Sequence, residues 1–114
     1  MISGVHAIMF SPAADAVRAF LRDVLELPHV DAGEGWLIFA LPPAEVAVHP
    51  GDSARHELYL LCDDLDATVA DLERRGVSLA QPIAERGWGR VTAILLPDGS
   101  ALGLYQPAHA RPVP

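Results

Sequence analysis

The apolar pattern of this chain runs twice through one order: a strand, a helix, then three strands. Residues 5–10 form a short apolar run that stops at Ser11-Pro12, where a serine can cap a helix and a proline can occupy its first turn. Val17, Phe20, Leu21 and Val24 then fall at i, i+3, i+4 and i+7 on one helical face, with Arg18, Arg22 and Asp23 turned to water. That helix has to end before Pro28. Strand-like runs follow at 29–31, 36–41 and 45–49, with glycines 33 and 35 and then Pro42-Pro43 supplying the turns. Pro50-Gly51-Asp52-Ser53 closes the half.

The second pass begins with a strand over 56–62. A helix starts at Asp63-Asp64 and carries Leu65, Val69 and Leu72 on one face. Asp64 and Asp66 suit its positive N-terminal end and Arg74 and Arg75 its C-terminal end, and Gly76 supplies the stop. Strands near 79–83, 91–96 and 101–106 complete the order, the last two joined by the hairpin turn Pro97-Asp98-Gly99-Ser100. Few residues are identical between the halves, so this is a repeat of pattern.

A length of 114 residues supports one core rather than two. The natural division is a single domain over 1–107, with modules of about 1–52 and 53–107 and a flexible tail at 108–114. The net charge is −7, and the eight basic residues are all arginines with no basic stripe, which argues against nucleic acid as a partner. No apolar run is long enough to span a membrane and no signal-peptide pattern is present. Cys62 stands alone, so an internal disulfide is excluded and a reducing, cytoplasmic setting fits.

Val5-His6-Ala7, the helix segment Phe20-Leu21-Arg22-Asp23-Val24-Leu25, His56-Glu57-Leu58-Tyr59-Leu60, Asp63-Asp64-Leu65-Asp66-Ala67, the stop at Gly76 and Leu96-Pro97-Asp98-Gly99 stand in a telling order. In that order and spacing the chain resembles the glyoxalase/bleomycin-resistance/dioxygenase (vicinal oxygen chelate) superfamily over nearly its whole length. The resemblance implies an α+β fold in which two βαβββ modules form curved mixed sheets around a cavity, paired in a homodimer. It also implies metal ligands, where a metal is used, on the first, fourth, fifth and eighth strands. The superfamily spans lyases, isomerases, dioxygenases, thiol transferases and metal-free drug-sequestering proteins, and the fold does not choose among them.

Alternation along each strand narrows the site residues. Val5, Ala7 and Met9 make the smoother helix-packing set on the first strand, which leaves His6 for the cavity. On the fourth strand the same reasoning leaves Glu45, Ala47 and His49. On the fifth, Leu58, Leu60 and Cys62 suit the core, which turns Glu57 and Tyr59 inward and His56 outward. On the eighth, Leu102 and Leu104 pack on the helices and Ala101, Gly103 and Tyr105 face the cavity. Matched to the superfamily's pattern, its terminal glutamate falls on Gly103 and is missing. A set of His6, His49 and Glu57 still suits a divalent ion such as Fe, Zn, Ni or Mn. The competing reading leaves these as polar cavity residues in a scaffold that needs no cofactor.

Trp36 and Trp88 read equally as packing or, with Phe10, Phe39, Tyr59 and Tyr105, as aromatic walls for a flat ligand. Gly87-Trp88-Gly89 reads as a mobile rim or as a plain turn, and Cys62 as a structural thiol. The leading expectation is a homodimer that sequesters an apolar or aromatic small molecule, as bleomycin-resistance-like proteins do for a drug. Its ligand contacts would be Phe10, Trp36, Phe39, His49, Tyr59, Trp88, Gly103 and Tyr105. The alternative is a metal-dependent glyoxalase-like lyase or extradiol-dioxygenase-like enzyme using His6, His49 and Glu57.

Overall fold

A computed structural model describes residues 7–45, 47, 50, 52, 53 and 56–110. The described elements run α1 (Ala14–Asp23), β1 (His29–Asp31), β2 (Leu37–Phe39), β3 (Tyr59–Leu61), α2 (Leu65–Arg74), β4 (Leu79–Arg86), β5 (Gly89–Leu95) and β6 (Ala101–Pro107). The architecture is α+β. Four strands form a mixed sheet in the order β3-β6-β5-β4, with β3 parallel to β6 and the remaining pairs antiparallel, while β1 and β2 form a separate hairpin.

α2 begins where the sequence places it. The Asp64 carboxylate accepts the Ala67 backbone N–H at 3.1 Å, satisfying a donor that the first turn leaves orphaned. The helix stops at Gly76, whose φ of +87° is a left-handed conformation that glycine adopts without steric cost. α1 departs from expectation at its start. The N-cap is Ala13 rather than Ser11; the Ser11 hydroxyl instead accepts the Ala13 N–H and donates to Asp98 in the β5–β6 turn. At its other end Glu26 takes a positive φ of 56° and Leu27 N–H reaches back to Leu21 O (3.1 Å), which ends the helix before Pro28.

Leu65, Val69 and Leu72 of α2 pack with Val17 and Phe20 of α1 onto Ile94, Leu102 and Leu104 of the sheet. The Leu102/Leu104 assignment to the helix side therefore holds. Thr92 is buried in the middle of β5, and its hydroxyl donates to Gln81 O at 2.7 Å, so burial leaves no unmet hydrogen bond there.

Of the eight expected strands, six are present among the described residues. Residues 7–10 lie in no regular element, and the rest of the expected first strand falls outside the described residues. The same holds of the expected fourth strand, where 45 and 47 are irregular and 46, 48 and 49 are undescribed. Residues 108–110, expected to begin a frayed tail, continue from β6 with Ala108 N–H bonded to Trp88 O (2.9 Å).

Candidate functional site

Among the described residues, the four-stranded sheet packs one face on the helices and leaves the other open. On that open face the register sets Tyr59 and Ala93 on either side of Gly103, and Val91 beside Tyr105. A cleft of about 460 Å³ lies over this surface. Its floor includes Tyr59, Val91, Ala93 and Gly103, and its edges include Met9, His56, Glu57, Gln81, Arg86 and Trp88.

Three aromatic rings form one wall. Tyr105 meets Tyr59 edge-on with ring centroids 6.3 Å apart, and meets Trp88 at 5.3 Å with the same 67° tilt. Both arrangements suit the aromatic quadrupole. The Tyr105 hydroxyl donates to Trp88 O at 2.9 Å, tying the wall to the β4–β5 turn. Burial, aided by the negative charge of Glu45, pushes the Tyr105 phenol above its ordinary value, so it keeps the proton this bond needs.

Two glycines make the wall possible. A Cβ on Gly103 would overlap the Tyr59 ring, so glycine there lets the ring lie against the β6 backbone. A Cβ on Gly89 would come within 2.6 Å of the Tyr105 ring, and Gly89 also takes a φ of +152°. The space expected over Gly103 for a ligand is thus filled by Tyr59.

Polar groups stand at the cleft's margins. The Tyr59 hydroxyl donates to Glu57 Oε2 at 2.8 Å. His56, Glu57 and Leu58 all line the cleft, whereas alternation put His56 and Leu58 on the other side. The reason is local: β3 begins only at Tyr59, and 56–58 are not in a strand, so they do not alternate. Cys62 is buried, and that burial pushes its thiol up, which disfavours the thiolate form.

The structure brings together Tyr59, Trp88, Gly103, Tyr105 and Glu57 from the residues singled out in the sequence. It does not bring Phe10, Trp36 or Phe39 to the cleft. Phe10 projects into solvent at 91% exposure, Trp36 lies under the Arg18 guanidinium at 4.9 Å, and Phe39 packs on the His29 ring. His6 and His49 lie outside the described residues. Among the described residues no group of three His, Cys, Asp or Glu side chains is placed to hold a metal ion.

Sequence reasoning missed Gln81 and Arg86. Two bulges in β4, between Leu79 and Gln81 and between Gln81 and Ala84, flip the faces that simple alternation assigns. Gln81 pairs with Ala93 on the open face although it shares parity with core-facing Leu79 and Ile83. Pro82, which has no N–H to give the ladder, sits between them and was the available signal.

Solved structures share this fold. TnmS3, described as an antibiotic binding protein from Streptomyces sp. CB03234, is 28% identical with a TM-score of 0.65, over 95% of this chain and 100% of that one. A member of the glyoxalase/bleomycin resistance protein/dioxygenase superfamily from Sphaerobacter thermophilus is 25% identical, with a TM-score of 0.62 over 92% and 98% of the two chains. The chain has the fold of this superfamily. A glyoxalase/bleomycin resistance protein from the same Streptomyces strain, 28% identical with a TM-score of 0.59 over 84% and 93%, is a third superfamily neighbour. No family model and no curated protein matches the chain.

Proposed function

We propose that the protein binds an apolar, aromatic small molecule in the open-face cleft and sequesters it. The observation that carries this reading is the aromatic wall. Trp88 and Tyr59 remain 51% and 43% exposed, yet Tyr105 and two glycines hold them in place. Rings fixed before binding lose little entropy when a flat ligand covers them. The cleft's volume falls within the range of about 300–1,000 Å³ common for small-molecule sites. The antibiotic-binding description of TnmS3 agrees with this use of the fold.

In this reading the chain is a single domain of two modules and works as a cytoplasmic homodimer. The exposed Ile8, Met9 and Phe10 give a second copy apolar surface to cover. Light scattering at micromolar concentration should give twice the chain mass. No helix among the described residues is long and apolar enough to cross a membrane.

The test of ligand binding uses the chain's two tryptophans. Titration with planar fused-ring aromatics should quench fluorescence in Trp36→Phe and leave Trp88→Phe nearly unquenched. Equal quenching in both variants would place binding elsewhere. A second reading, a metal-dependent lyase or dioxygenase using His6, His49 and Glu57, draws on the Glu57 carboxylate at the cleft. Protein purified without chelator that carries about one divalent ion per chain, lost in His6→Ala, would favour it over sequestration.

A further inference from the structure

We propose that Arg86 selects ligands that carry a carboxylate or a similar anionic oxygen on their aromatic body. The inference rests on the cleft being a ligand site and adds the ligand's charge. Five of the six described arginines meet a carboxylate: Arg18 meets Asp15, Arg22 meets Asp23, Arg74 and Arg75 meet Asp71, and Arg90 meets Asp66 and Glu85. Arg86 meets none among the described residues. Its Nη1 makes a long 3.4 Å bond to the backbone oxygen of Glu85. The chain has 15 acidic residues for 8 arginines, so carboxylates are plentiful, and the arginine without one lines the cleft.

Position supports the same conclusion. Arg86 and Gln81 stand on β4, at one edge of the β3-β6-β5-β4 sheet. Glu57 precedes β3 at the other edge, three strand spacings or about 14 Å away across the sheet and farther still along the strands. The cleft is therefore acidic at one edge, basic at the other and aromatic between them. A planar ligand on the wall of Trp88 and Tyr59 would set an anionic oxygen at the β4 edge. There a guanidinium offers paired donors, and the Gln81 amide lines the same cleft.

Isothermal titration with anthracene-2-carboxylate and its uncharged partner anthracene-2-carboxamide separates the possibilities. Wild-type protein should bind the carboxylate about tenfold more tightly, the scale of one charged hydrogen bond. Arg86→Gln should erase the preference and Arg86→Lys should keep most of it, with circular dichroism confirming that both fold. Equal affinity for the two probes in wild-type protein, or a preference that survives Arg86→Gln, overturns the assignment and leaves the cleft reading standing. Binding of neither probe overturns both.

Discussion

The two halves of this chain carry the same order of apolar patterns but bury them to different extents. The second half closes its own sheet, and it supplies Cys62, Leu65, Val69, Leu72, Val77, Ile94, Leu96, Leu102 and Leu104 to the core. Among the described residues, the first half contributes Val17 and Phe20. Its β1–β2 hairpin stands apart as a two-stranded sheet, with Val30 65% exposed and Trp36 61% exposed. A lone hairpin is marginal in water, because two strands bury too little apolar surface to offset their ordering. One pattern thus yields a self-sufficient unit in one place and an apolar surface awaiting cover in the other.

The largest effect should separate these regions directly. Ile94 is fully buried, so Ile94→Ala should cost about 2–5 kcal/mol through lost transfer energy and the cavity left behind. Val30→Ala should cost no more than about 0.5 kcal/mol, as for an ordinary surface site. Urea unfolding measures both. A Val30→Ala loss approaching that of Ile94→Ala would break the comparison and mean that the hairpin is covered in solution.

A smaller effect tests the aromatic wall inside the second half. Gly103→Ala forces the Tyr59 ring off the β6 backbone, and overpacking of this kind costs about 1–3 kcal/mol. In a Tyr59→Ala background the same change should cost clearly less, since the ring it collides with is gone. Equal costs in both backgrounds would mean that the ring does not occupy this space. A glutamate at position 103, the residue the superfamily pattern would place there, meets the same obstacle. It should therefore destabilise the protein before it helps any metal.

The second half was legible in the sequence because its signals are local and agree with one another. Asp64, Gly76 and the Pro97-Asp98-Gly99-Ser100 turn each act where their chemistry predicts: Gly99 takes a φ of +84°, and Leu96 N–H bonds to Ser100 O across the turn. Alternation placed Leu102, Gly103 and Leu104 correctly on an unbroken strand. It misplaced His56, and would misplace Gln81, because parity holds only within a regular ladder, and bulges or strand ends reset it. Composition drew Phe10, Trp36 and Phe39 into the site because all three are aromatic. Their absence from the cleft lining depends on how the halves pack, which no local pattern encodes. Arg86 was unreadable for a related reason: its lack of a carboxylate partner is a fact of three-dimensional neighbours.

The smallest predicted effect concerns the tie between the halves. Asp98 accepts hydrogen bonds from the Ser100 hydroxyl, the Ser11 hydroxyl and the Ser100 backbone N–H. Together, Ser100 foremost, they lower its carboxyl from 3.8 to about 2. A carboxyl whose pKa is lower in the folded state adds stability that is present above pH 3.8 and is lost as pH falls through about 2. The group is exposed, so water screens much of the gain and the effect is modest. Asp98→Asn should therefore be slightly less stable than wild type at pH 7. The gap should shrink below about pH 4 and close near pH 2, as followed by urea midpoints across that range. Ser100→Ala should remove more of the gap than Ser11→Ala, because Ser100 supplies two of the bonds. Ser11 alone reaches across from the first half, so a loss in Ser11→Ala matching or exceeding that of Ser100→Ala would show the two halves to be coupled through this turn more tightly than their separate burial implies.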